Sequence, residues 1–245
     1  MSLRLRNVQV DVPAEVHDAA RAFWAEALGA AARAADGPCT HLDGVRSPVG
    51  VHLQRLGKGP ARVHLDLEAS DPAGTVAHLE ALGATHAWDA EDGPVLRDPA
   101  GLLLCVCPTG QPQHLADAEP GHAWLDRVVL DLPSARHDAA LAFWASALDT
   151  VPHTFPPPFD AFTLVPAVAA PGGTVDLLLQ DVGEGRPGIH VDLHVTDPVA
   201  RDREVDRLVA HGARVVGRHR HWVVLHDPAG LAVCVVPEAV DSPGD

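Results

Sequence analysis

Two stretches of this 245-residue chain set a histidine two residues ahead of an aspartate: Arg62 to Glu68 (RVHLDLE) and Ile189 to Val195 (IHVDLHV). In the first, Val63, Leu65 and Leu67 alternate with His64, Asp66 and Glu68. A strand of this pattern packs its apolar face and presents the histidine about 7 Å from the aspartate on the other face. His190, Asp192 and His194 repeat the arrangement. A nearby carboxylate raises a histidine's pKa, and such a histidine can act as a general base. His64 and His190 are therefore the candidate catalytic residues. The other reading is that each is only a hydrogen-bonded member of its sheet.

Composition removes several alternatives. The chain has no tyrosine, and its sole lysine, Lys58, lies between Gly57 and Gly59. Tyrosine acid–base catalysis is excluded, and a buried Schiff-base lysine has no support. No GxxxxGK[ST] phosphate cradle occurs, so nucleotide chemistry of that kind has no sequence support. Cys39, Cys105, Cys107 and Cys234 lack CxxC spacing and the density of a secreted scaffold, and they read as reduced thiols. No basic side chain or helix start near them in sequence would activate a nucleophile. A net charge of −15 opposes binding to nucleic acid. No signal-like apolar run opens the chain and no stretch nears the roughly 20 residues of a membrane span, so the expected location is cytoplasmic, without a membrane partner. The unusual surplus is sixteen histidines.

The elements that carry these residues occur twice. His17 to Ala30 matches His137 to Thr150 at ten of fourteen positions, and Val95 to Pro108 matches Val224 to Pro237 at ten of fourteen. The repeat gives domain 1 over residues 1–110, a polar linker over 111–122 and domain 2 over 123–240. Leu5 to Val12 alternates as a strand, with Asn7, Gln9 and Asp11 opposite Val8, Val10 and Val12. A helix follows with Val16, Ala20, Phe23 and Ala27 at helical spacing, stopped by Gly29. Trp24 and Trp144 on these first helices read as core or inter-module packing. After the His-Asp strand, Asp71 caps a second helix with Pro72 at its first position and Gly83 past its end. Asp197, Pro198 and Gly212 do the same later. Each repeat ends in a hairpin whose Asp-Pro-Ala-Gly turn, from Asp98 or Asp227, has type I chemistry. Four βαβββ modules result, an α+β organisation.

The FWA.AL helix, the HLDL strand ahead of a DP-capped helix and the terminal VL.DPAG....CV hairpin, in the same order twice, resemble the vicinal oxygen chelate superfamily. The chain is similar to tandem glyoxalase-like domains of the glyoxalase/bleomycin-resistance/dioxygenase type. The resemblance implies that paired modules curl their sheets into a cup holding a ligand or metal. It places metal ligands at Asn7 and Arg127, near His52 or Gln54 and Leu178 or Gln180, at His64 and His190, and at Leu103 and Ala232. Arg127 would repel a cation, and Leu103 and Ala232 offer no carboxylate. The expectation is no cofactor in domain 2, with a divalent metal left open in domain 1 on His52 and His64.

The resemblance also turns other residues toward the cup. Trp88 and Trp222, on the strands after the second helices, would stack on a planar ligand or simply pack. Arg127 requires an anionic partner: a ligand, Asp192 or Asp176. Leu103, Cys105, Ala232 and Cys234 would form an apolar floor. Pro152 to Phe159 is an insertion that reads as a lid or a proline-stiffened loop. The expected function is binding of a small hydrophobic or planar molecule without a catalytic metal, through Asn7, Gln9, Gln54, Trp88, Leu103, Cys105, Arg127, Gln180, Asp192, Trp222 and Ala232. The alternative is a lyase, isomerase or dioxygenase-type enzyme on a small carbonyl compound, using a domain 1 metal or His64 and His190 as bases. Monomer and homodimer both stay open.

Overall fold

The structure, a computed structural model, describes residues 3–34, 39–43, 49–109, 123–153, 159–164 and 175–237. The 111–122 linker and most of the Pro152 to Phe159 insertion fall outside these residues. Among the described helices, none is long and apolar enough to cross a membrane.

Domain 1 runs β1 (Arg4–Pro13), α1 (His17–Ala27), β2 (Ala31–Ala34), β3 (Cys39–Asp43), β4 (Gly50–Leu56), β5 (Arg62–Ala69), α2 (Pro72–Ala81), β6 (Thr85–Ala90), β7 (Gly93–Arg97) and β8 (Leu103–Pro108). Its eight strands form one sheet in the order β2-β3-β4-β1-β5-β8-β7-β6. Within each module the first and last strands pair in parallel, β1 with β4 and β5 with β8, and β1 meets β5 antiparallel where the modules join. Domain 2 repeats this pairing with one strand fewer among the described residues, its first module being βαββ: β9 (Trp124–Leu132), α3 (Ser134–Ala147), β10 (Phe159–Leu164), β11 (Val175–Asp181), β12 (Gly188–Val195), α4 (Pro198–Ala210), β13 (Arg214–Arg218), β14 (Val223–His226) and β15 (Ala232–Pro237). Its order is β10-β11-β9-β12-β15-β14-β13. Two mixed, cup-like sheets backed by four helices give the α+β architecture.

The local signals act as their chemistry dictates. The Asp71 carboxylate accepts from Gly74 N at 3.0 Å, and that of Asp197 accepts from Val199 N and Ala200 N at 2.8 and 2.9 Å. Gly29 ends α1 at φ 59°, whereas the corresponding residue after α3, Asp149, takes the left-handed conformation at φ 50°. In the first hairpin turn Gly101 N donates to Asp98 O and Leu102 N to the Asp98 carboxylate. Asp227 repeats both bonds.

One continuous hydrophobic core includes Val8, Val10 and Val12 of β1, Phe23 and Trp24 of α1, Val128 and Leu130 of β9, and Phe143 and Trp144 of α3. The two halves are tied reciprocally. Trp24 Nε1 donates to the Asp227 carboxylate at 2.9 Å, and Trp144 Nε1 to that of Asp98 at 3.2 Å. The first-helix tryptophan of each domain thus bonds the hairpin turn of the other. Arg207 on α4 adds bonds to Glu26 on α1, and Arg136 on α3 donates to Ala100 O.

Candidate functional site

The register of β1 against its neighbours assembles the first cup. Gln9 lies opposite His64 on β5 and His52 on β4; Asp11 lies opposite Arg62 and Gln54; Asn7 lies opposite Asp66. One alternating face of three adjacent strands is therefore polar. β1, which alternation predicts to be half-buried, is buried on both faces because this polar side is covered by the cup. His64 is the centre of the cluster. Its Nδ1 lies 3.2 Å from the Asp11 carboxylate and its Nε2 3.2 Å from that of Asp66. Arg62 Nε donates to the same Asp11 oxygen at 2.7 Å, and Asn7 donates to Asp66. Burial alone would lower the pKa of His64, but the hydrogen bonds and charges of Asp11 and Asp66 outweigh it and lift the pKa to about 10. Above this cluster lies a cavity of about 230 Å³ lined by Gln9, Gln54, Trp88, Cys39, Cys105 and Asp92, among others. The Arg62 guanidinium stands 5.5 Å over the Trp88 ring, so that ring already carries a cation on one face.

Domain 2 repeats the bridge. His190 Nδ1 lies 3.0 Å from Asp131 and Nε2 3.6 Å from Asp192. Burial opposes the charge of His190, but Asp131, Cys234 and Asp192 hold its pKa well above the usual histidine value. Burial pushes the Asp192 carboxyl upward, against the pull of His190 and Arg127. The remainder of the cup differs. A cavity of about 170 Å³ is walled by Val129, Phe159, Leu178, Trp222 and Val236, with Arg127 and Gln180 as polar groups. Val129 replaces Gln9 in the ladder, so this cup is the more apolar. Arg127 Nη1 donates to His194 Nε2 at 2.7 Å, and its Nε lies 3.6 Å from Asp126. Burial and then the Arg127 charge push His194 down to about 3, leaving it a neutral acceptor.

Thus Gln9, Gln54, His64, Trp88 and Cys105 meet in one cavity, and Arg127, Gln180, His190, Asp192 and Trp222 in the other. Asn7 works beneath the first cup through Asp66. Leu103 packs with Val95, Cys105 and Cys107 outside the cavity lining, and Ala232 lies opposite His226. His52 stacks on His41 with ring centroids 4.0 Å apart and is not in the lining. Trp222, expected on a strand, sits in the β13–β14 turn, where His219 N donates to Trp222 O and the two rings stack at 4.7 Å. Sequence reasoning missed the bridging roles of Asp11 and Asp131. The available signal was the shared VDVP and LDLP at the same distance before the repeated His-Asp-Ala-Ala segments that begin at His17 and His137.

Several of the positions that the resemblance gives to a metal carry no usable ligand or an engaged one. Arg127 is a cation, Leu103 belongs to an apolar cluster, His52 is turned to His41, and each cup histidine faces a carboxylate at both nitrogens. Among the described residues, two other groupings do bring three donor atoms within 4.8 Å of one another: Asp66, Cys105 and Cys107, and His190, Asp192 and Cys234.

The glyoxalase-like domain family matches the sequence over residues 7–107 and again over 127–236, and the chain belongs to that family. No curated protein matches it. Among solved structures it is similar to the Mn(II)-bound glyoxalase of Novosphingobium aromaticivorans, at 20% identity and TM-score 0.65, covering 96% of this chain and 82% of that one. It is also similar to 2,2',3-trihydroxybiphenyl 1,2-dioxygenase of Sphingomonas wittichii RW1, at 17% identity and TM-score 0.59, covering 97% and 91%. Homoprotocatechuate 2,3-dioxygenase of Arthrobacter globiformis shares 17% identity at TM-score 0.60, covering 98% and 82%. At these identities the likeness is one of fold.

Proposed function

We propose that the two cups bind small, planar, largely apolar molecules without the family's histidine-held metal. The observation that carries this reading is the Asp–His–Asp bridge in both domains. An imidazolium donating from both nitrogens, as His64 does to Asp11 and Asp66, has no lone pair for a metal or for an incoming proton; in domain 2 Asp131 is within hydrogen-bond distance of His190 at 3.0 Å and Asp192 lies 3.6 Å away. The raised pKa of His64 and of His190 weighs against either as a general base, since a useful base must be unprotonated near working pH. What the bridge supplies is a rigid polar floor.

Size and lining narrow the ligand. Cavities near 170 and 230 Å³ fall below the roughly 300–1,000 Å³ of drug-sized sites, which favours single-ring or small fused-ring compounds. In domain 2, Trp222 and Phe159 offer ring faces while Arg127 and Gln180 fix a polar substituent. The test is a calorimetric and tryptophan-fluorescence screen of small aromatic acids, phenols and quinones against chelator-treated protein. Binding that survives chelation and weakens about tenfold or more, roughly 1.4 kcal/mol, in Trp222→Ala supports the reading. Binding or turnover that vanishes on chelation and returns with a divalent metal would favour the enzyme alternative.

A further inference from the structure

The thiols of Cys105 and Cys107 have no role in the bridge. They leave β8 on one face with their sulfurs 3.7 Å apart. Asp66, which pairs with Cys105 across the β5–β8 ladder, supplies a third donor atom in the same grouping. Tetrahedral zinc with bonds of about 2.3 Å to sulfur sets its thiolates about 3.8 Å apart. The two sulfurs already stand at that edge length. We propose that Cys105, Cys107 and Asp66 form a site for one thiophilic d10 cation of the Zn(II) and Cd(II) class, its fourth position facing the domain 1 cavity.

Three features support the site. Asp66 and Cys105 line the cavity, so a cation arriving there meets two of its ligands. Asn7 and His64 hold the two oxygens of Asp66 from the side, as orienting residues hold a ligating carboxylate. Two of the three donors are soft thiolates, which favours a thiophilic ion over Mn(II), Mg(II) and other hard ions. The thiols must lose their protons when the cation binds. The hydrogen bond from Cys107 and then burial push the Cys105 thiol upward, and binding of the cation releases the thiol proton. Domain 2 keeps the Asp192–Cys234 pair in the same register but has Val236 where domain 1 has Cys107. The dithiol pair therefore belongs to domain 1.

The experiment titrates reduced, full-length protein with Cd(II) and follows the thiolate-to-cadmium charge-transfer band in the ultraviolet, with stoichiometry from equilibrium dialysis. The expected result is one cadmium per chain with the band. Cys107→Val installs the residue that domain 2 carries at this place, so the fold has a precedent for it. It should lose more than the roughly 10–100-fold that removing an orienting residue costs. Cys105→Ser should do the same, and Cys234→Ser should bind as the parent does. The proposal is overturned by an absent band at one equivalent in the parent, by a band that persists in both Cys107→Val and Cys105→Ser, or by one lost in Cys234→Ser alone.

Discussion

His64 meets a carboxylate at each ring nitrogen, and that arrangement has a measurable protonation state. With its pKa lifted to about 10, His64 should show two ring N–H protons by NMR at pH 8, where an ordinary histidine shows one. The folded-state pKa lies above the unfolded value of about 6.5. The stabilisation is therefore complete below pH 6.5 and fades as pH rises toward 10. The urea-midpoint gap between the parent and His64→Gln should shrink over that window. His194 behaves in the opposite sense: burial and Arg127 keep it neutral down to about pH 3. Arg127→Met should raise its pKa while leaving it below 6.5, because burial remains the larger cause. An NMR titration in which the pKa does not move would remove Arg127 as a contributor.

Among the elements, the two hairpin turns and the two first helices hold the halves together. Asp98 and Asp227 are buried carboxyls, pushed upward by burial and restrained by backbone donors and a tryptophan N–H from the other domain. Trp24→Phe or Trp144→Phe removes one such donor. Each should cost about 2 kcal/mol or more in urea unfolding, since hydrogen bonds to charged groups contribute roughly 1.5–3 kcal/mol. Both turns were legible in the sequence because Asp-Pro-Ala-Gly is local chemistry. So were the Asp71 and Asp197 caps and the faces of β1 and β5, which follow from period-two alternation. The partners of these residues were not. Asp11 reaches His64 only through the β1–β5 register, and Asp227 reaches Trp24 over a separation of 203 residues, beyond any local signal. Arg127 is instructive too. Sequence asks for an anion, while the structure also seats a neutral His194 against it, beside the bulge between Asp192 and Leu193.

On the scale of the whole molecule, a single core crosses both repeats and the reciprocal tryptophan bonds close it. The chain should therefore unfold in one cooperative step. Two separated calorimetric transitions would show that the halves are energetically independent. Within this shared frame the cups have diverged: Gln9, Arg62 and Asp92 make the first polar, while Val129, Phe159 and Leu178 make the second apolar, around the same Asp–His–Asp floor. On the reading proposed above, that floor takes the place of a hard metal held on the cup histidines. The most direct test is an equilibrium titration of chelator-treated protein with Mn(II), read by the electron paramagnetic resonance of the free ion. The parent protein, its cup histidines held by carboxylates, should show no stoichiometric uptake. Uptake of one Mn(II) per domain or per chain, abolished by His64→Ala or His190→Ala, would contradict that expectation.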